Sequence, residues 1–273
     1  MKAIYKPKGK ANEYGMYGCN LNTGCSNDCR YCYLKRPPMS VYWGTTPTLK
    51  KCFKDEDDAV RVFREELLKN LPDLQKHGLF MSFTTDPLLP ETIGLTLKVI
   101  EICTKNGVNV KLLTKCGGFE GSFFNLFNGS ESELKAHVAF GFTLTGHNEW
   151  EPGAPGNEKR IESMKQLHSW GYRTFESDEP IIDFGSTMKM ITETLDCCDL
   201  YKIGLMSGGG VTYDPKEAQD FLRGLKQLPG QPKIYLKDSL VRLLKLDRNT
   251  LSSNFVGKDY DMFQYKNNNP NNE

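Results

Sequence analysis

The chain has 273 residues, 38% of them hydrophobic, which is enough for a full-sized core and argues against a fibrous or disordered protein. Its 35 basic and 34 acidic residues leave a formal charge of +1, so no global field draws it to nucleic acid or to a membrane surface. No apolar run approaches the roughly 18 residues that span a bilayer, and the start, MKAIYKPKGK, lacks a secretory apolar stretch, so the expectation is a cytoplasmic protein with no membrane partner.

In chain order, residues 1–15 read as an N-terminal extension with a basic start, Lys2, Lys6, Lys8 and Lys10, and a first strand is expected near Met16 to Leu21. Short apolar runs then begin near Leu79, Val108, Val138, Tyr172, Leu200 and Ile234, spaced by about 30 residues, the length of one βα unit. Between them, apolar residues three and four apart predict helices: Val60, Phe63, Leu67 and Leu71; Ile93, Leu97 and Ile100; Ile161, Met164 and Leu167; Met188, Ile191 and Leu195; Ala218, Phe221, Leu222 and Leu225. Gly78, Gly107 and Gly171 fall where a left-handed helix cap is wanted, and Asp214 before Pro215 is a helix-start signal. Polar residues gather after nearly every strand, which favours an α/β fold with a partial or full (β/α) TIM-like barrel of about six to seven parallel strands, over residues 16–240. The first unit is longer than the rest, and its Pro-rich stretch RPPMSVYWGTTPTLK reads as an excursion over one mouth of the barrel. Residues 241–273 form a C-terminal segment whose polar end, from about residue 264, reads as a disordered tail.

Nine cysteines without an export signal point to metal binding or thiol chemistry rather than disulfides. Cys25, Cys29 and Cys32 stand at C-x3-C-x2-C spacing in NTGCSNDCRYC, where three thiolates reach three irons of one [4Fe-4S] cubane and leave the fourth iron open. Gly24, Ser26, Asn27 and Asp28 let the backbone wrap such a cluster. Zinc is the alternative, with Cys19 as a fourth ligand, although no second C-x2-C follows. Cys52, Cys103, Cys197 and Cys198 read as packing residues, as do His77 and His168, while His147 follows the fourth strand and can face the mouth.

On that triplet the sequence resembles the radical S-adenosylmethionine superfamily. More narrowly, TTDP at Thr84 to Pro87, LLTK at Leu112 to Lys115, and WEPGAP followed by Arg160 resemble its spore photoproduct lyase-like branch. The resemblance implies that Cys25, Cys29 and Cys32 bind the cluster and that Tyr31 packs near the adenine of S-adenosylmethionine. It implies that Thr84, Thr85 and Asp86 form the segment that takes the amino group, and that Lys115 pairs with the carboxylate. Thr143 and Thr145 in GFTLTGH can offer hydroxyls to the ribose, or simply serve β-propensity, and Ser177 is a candidate of the same kind. Glu151 to Gly153 reads as a turn holding the strand-four loop, with no chemistry assigned. Where that branch has a hydrogen-donating cysteine before the T-T-D segment, this chain has Phe83; Cys116 offers a different donor, or stands there by chance.

The implied activity is that of a radical S-adenosylmethionine enzyme, lyase or oxidoreductase in type, cleaving S-adenosylmethionine reductively to a 5'-deoxyadenosyl radical. Its electrons would come from a reductant such as flavodoxin or ferredoxin, and its substrate would be a nucleic acid or nucleotide. A peptide- or protein-modifying radical enzyme, and a non-catalytic iron–sulfur redox or sensor protein, remain as alternatives.

Overall fold

The computed structural model describes residues 3–264, so the tail expected from about residue 264, and Lys2 of the basic start, lie outside the described residues. Ile4–Tyr5 (β1) pairs antiparallel with Gly18–Cys19 (β2), and Asn22–Thr23 (β3) pairs with Thr48–Leu49 (β4) in a small separate sheet. Glu56–Lys69 (α1) and Leu71–His77 (α2) lead into Leu79–Met81 (β5). Strands and helices then alternate: Ile93–Lys105 (α3), Val110–Thr114 (β6), Glu120–Leu126 (α4), Glu131–His137 (α5), Val138–Thr143 (β7), Asn157–Ser169 (α6), Arg173–Ile181 (β8), Phe184–Glu193 (α7), Leu200–Leu205 (β9), Pro215–Lys226 (α8), Ile234–Leu236 (β10) and Asp238–Leu244 (α9).

The main sheet has eight strands in the order β1-β2-β5-β6-β7-β8-β9-β10. All pairs after the first are parallel, which gives seven parallel strands in an open, partial barrel. Gly78, Gly107 and Gly171 take positive φ of 69°, 65° and 87°, as the expected caps require, although Gly78, with ψ of −176°, is extended rather than left-handed helical, and the Asp214 side chain accepts from Lys216 N at the start of α8. Among the described residues no helix is long and apolar enough to cross a membrane.

Period-two alternation sorts each strand between two environments. Val110, Leu112, Phe140 and Phe142 face the helices and join the larger core, while Phe80, Ala139, Phe175, Leu200 and Tyr235 form an inner core inside the barrel. Gly141 is required on β7, because a Cβ there would collide with the Phe175 ring.

Both described terminal segments pack on the barrel. In the N-terminal extension Ala3 and Ile4 are fully buried, and their N–H groups donate to Glu66 Oε2 at 3.0 and 2.8 Å. A two-residue strand is too short to show a period in the sequence, so its pairing was invisible there. At the other end, Ile234 N donates to Asn254 O at 2.9 Å, and Met262 and Phe263 join the inner core at the N-terminal ends of the strands. Arg173 fixes that plug by donating to the carbonyls of Met262 (3.3 Å) and Phe263 (3.1 Å).

Candidate functional site

The cysteine loop leaves β3 and is held from three sides. Gly24 N donates to Tyr42 O at 3.1 Å and Cys25 N to Gly44 O at 2.8 Å, which ties the loop to the excursion. Gly24 has φ of 83°, and a Cβ there would collide with the Thr46 carbonyl. On the second side, Asn27 Nδ2 donates to Asp86 Oδ2 at 2.9 Å. On the third, the WEPGAP turn packs directly on the loop: Arg30 N donates to Trp150 O (2.8 Å), Gly153 N donates to Asn27 O (3.1 Å), and a Cβ on Gly153 would collide with Ser26 O.

Asp86 is the hub of the strand ends. It is 6% exposed, and its carboxylate accepts from Asn27, from Leu88 N (3.0 Å), from Thr114 Oγ1 (2.7 Å) and from Lys115 N (2.7 Å). Thr84 Oγ1 donates to Asn22 O at 2.6 Å and joins the same segment to β3. Lys115 Nζ lies 3.5 Å from Thr143 Oγ1 and 5.6 Å from the centre of the Tyr31 ring. The Tyr31 hydroxyl donates to Glu151 Oε1, whose other oxygen accepts from Arg160 at 2.6 Å and from Thr145 Oγ1 at 3.3 Å. Arg160 also donates to the carbonyls of Thr143 and Pro155, both at 2.9 Å, and its side chain and that of Glu151 are 0% exposed.

The cysteine loop, segment 84–86, Lys115 and Thr143 surround a cavity of about 730 Å³ at the C-terminal ends of the strands, where a (β/α) fold collects its functional side chains, with Thr145, Glu151 and Arg160 behind its wall. Cys25, Cys29, Cys32, Tyr31, Thr84, Thr85, Asp86, Lys115 and Thr143 all line it. The opposite wall carries Tyr14 and Glu179: the Tyr14 hydroxyl donates to Glu179 Oε2 at 2.8 Å, and fully buried Lys237 pairs with the same carboxylate. Phe83 also lines the cavity, its ring 4.7 Å from Phe80 and 6.2–6.3 Å from Tyr14 and Tyr5, centre to centre.

Burial dominates the electrostatics. It pushes the Cys25 thiol up to about 12, with Asp86 adding to the shift, and raises Cys29. Burial also works to lower the Lys115 ammonium, but the Cys29 thiol and the Glu151 and Asp86 carboxylates outweigh it, and the net shift is upward. Lys115 is therefore a fixed cation beside the cysteines. Tyr31 is raised well above its ordinary value by burial and then by Glu151, which keeps its hydroxyl a donor.

The donor set suits a cluster and its ligand. The three thiols line one cavity, the placement that a cluster held by three cysteines needs. Cys19, the fourth ligand a zinc site would need, is fully buried in the helix-facing core and does not line the cavity. Two buried oxygens of lining residues, Asn27 Oδ1 and Thr85 Oγ1, have no hydrogen-bond partner, a state that suits a ligand with N–H donors.

Four residues singled out in the sequence do not reach the cavity wall. Cys116 is 7% exposed and its Sγ lies 3.7 Å from Asp86 Oδ1, so its thiol is engaged behind the wall. Thr145 is past the end of β7 and bonds Glu151, and Ser177 is fully buried against the Tyr14 hydroxyl at 2.8 Å. His147 bonds Glu149 at 2.8 Å and Asp183 at 2.5 Å. Glu151, in WEPGAP, and Arg160, five residues after it, carry no role in the sequence reading, and no local signal marks them as a pair.

No family model matches the chain. An uncharacterised protein of Methanocaldococcus jannaschii is 27% identical, over 68% of either chain. A cysteine-to-serine mutant of spore photoproduct lyase superposes with a TM-score of 0.61 at 15% identity, covering 84% of this chain and 78% of that one. Streptococcus suis SuiB bound to S-adenosylmethionine gives 0.55 at 10% identity, and SuiB bound to the precursor peptide SuiA gives 0.54. This chain spans about half the length of those SuiB chains, 53%. The fold is thus shared with spore photoproduct lyase and with SuiB.

Proposed function

We propose that this chain is a radical S-adenosylmethionine enzyme that acts on nucleic acid. The observation that carries the reading is the meeting of three thiols, one fixed cation and two unpartnered buried oxygens on a single cavity at the mouth of the barrel. Cys25, Cys29 and Cys32 would hold three irons of a [4Fe-4S] cluster, which would supply the electron for reductive cleavage of S-adenosylmethionine. The unpartnered Thr85 Oγ1 would accept from the methionyl amine, and Lys115 would meet the methionyl carboxylate. Tyr31, beside Lys115, would pack on the adenine, and Thr143 would face the ribose. Asp86, with its carboxylate already bonded by several donors, acts by fixing Asn27, Thr114 and the Lys115 backbone. A reductant such as flavodoxin or ferredoxin would load the electron.

The nucleic-acid half rests on the spore photoproduct lyase likeness and on Lys8, Lys10 and Lys50 lining the cavity. With Phe83 at the position of the hydrogen-donating thiol, and Cys116 turned to Asp86, the reaction follows a route other than the lyase's own. A peptide substrate is the second reading, favoured by the SuiB–peptide likeness.

Anaerobic reconstitution is the test. Iron and sulfide should load in equal amounts, and dithionite with S-adenosylmethionine should give 5'-deoxyadenosine. Cys25→Ala, Cys29→Ala and Cys32→Ala should each abolish both, while Cys19→Ala keeps the iron. A colourless zinc protein, or a loaded cluster that never yields 5'-deoxyadenosine, would overturn the reading.

A further inference from the structure

The excursion between the cysteine loop and β4 buries Leu34 and bonds the Tyr33 hydroxyl to the Phe83 carbonyl, but leaves four large side chains partly in solvent. Tyr33, Val41, Tyr42 and Trp43 are 41%, 79%, 40% and 45% exposed, whereas the other exposed large hydrophobics, such as Leu68 and Trp170, are scattered over the fold. Four such side chains in eleven consecutive positions make a patch, and a patch needs a partner. Tyr33 and Tyr42 also line the cavity, so the patch is continuous with its mouth.

The charge around the patch is positive. Lys8 and Lys10 line the same cavity and are exposed. The two acids that line it are spent: Asp86 is held by internal donors, and Glu179 is paired with Lys237. The patch is also rigidly mounted. Its backbone bonds the cysteine loop through the carbonyls of Tyr42 and Gly44. From the far side Arg36 donates to the carbonyls of Ser207, Gly208 and Gly209, and a Cβ on Gly208 would collide with that guanidinium. Lys10 Nζ donates to Ser207 Oγ at 2.9 Å, which holds its charge at the cavity mouth. Exposed aromatic rings on an anchored backbone beside cations form the surface that single-stranded nucleic acid uses, since unstacked bases lie on the rings and phosphates meet the lysines. A duplex hides its base faces, and an acidic peptide has none.

We infer that this excursion is a platform for single-stranded nucleic acid, with bases stacking on Tyr42 and Trp43 and phosphates meeting Lys8 and Lys10, so that one nucleotide is delivered to the cavity. The inference rests on the nucleic-acid half of the proposed function and narrows it to unpaired strands.

The test is fluorescence anisotropy of the reconstituted full chain with a labelled twelve-residue DNA strand, the same sequence as RNA, the DNA duplex, and polyglutamate. A single strand, DNA or RNA, should bind at least about tenfold more tightly than duplex or polyglutamate. Tyr42→Ala with Trp43→Ala should weaken it by about tenfold or more, while Trp43→Phe retains it. Replacing Lys8 and Lys10 by Gln should flatten the salt dependence by about 0.7 in log–log slope for each lysine. Trp43→Ala alone should leave 5'-deoxyadenosine formation without substrate unchanged. Equal binding of strand and duplex, equal binding of polyglutamate, or unaltered binding by the aromatic double variant overturns the platform. Strand binding without 5'-deoxyadenosine sinks the proposed chemistry and leaves the platform standing; 5'-deoxyadenosine without strand binding does the reverse.

Discussion

Arg160 and Glu151 form an ion pair with no solvent on either side, and the pair sits one hydrogen bond behind Tyr31. Taking both charges out of water is costly, so the pair is a weak source of stability but a strong constraint on geometry. Arg160→Met should destabilise the unloaded chain by about 3–5 kcal/mol in urea unfolding, because it strands a buried carboxylate. The double variant Glu151→Met with Arg160→Met should be less damaged than Arg160→Met alone. Gly153→Ala forces a collision with Ser26 O and should cut iron loading far more than it lowers Tm. None of this was legible at the residues themselves: a glutamate in a turn rich in Pro and Gly has water as its default partner, and Tyr31 lies 120 positions away.

Along β8, FESDEP sends Phe175, Ser177 and Glu179 into the barrel and Glu176 and Asp178 to the helix side, a division that follows from strand alternation. Glu176 accepts from the Thr194 hydroxyl, while both oxygens of Asp178 and the other of Glu176 have no hydrogen-bond partner. Burial raises both carboxyls, and the neighbouring Glu176 raises Asp178 further. The stability that the protonated pair contributes is full below the ordinary carboxyl range near pH 4 and is lost as pH rises through the raised folded values. Thermal melts from pH 5 to pH 9 should therefore show a decline that Asp178→Asn makes shallower, by up to about 1.4 kcal/mol per pH unit for each proton no longer released. Of the elements, the helices with clear three-and-four spacing were legible, whereas α4 and α5, in a stretch of Gly, Ser and Asn, gave no such signal.

The whole molecule is an open barrel whose two chain ends do structural work at different places. β1 covers the free edge of β2, and Met262 with Phe263 closes the floor opposite the cavity. Truncation after Gly257 removes that plug and should cost about 3–6 kcal/mol, the worth of two buried apolar side chains. Iron loading should survive below the lowered Tm, because the cysteine loop lies at the other end of the strands. A truncated chain with unchanged Tm would show that the floor carries no load.

Along the chain itself stood the βα period, the glycine caps and the cysteine spacing. Each is local: a period, a φ or a loop length is set by residues within one turn, one strand or one short loop, and needs no knowledge of the fold. Which strand-end groups face the cavity was decided only in three dimensions. Asp86 is taken up by Asn27 and Thr114, which lie 59 and 28 positions away, Cys116 is turned behind the wall, and Glu151 is drawn under Tyr31. Those outcomes depend on where separate strands end relative to one another, a relation that the packing of the barrel creates and that no local stretch of sequence contains.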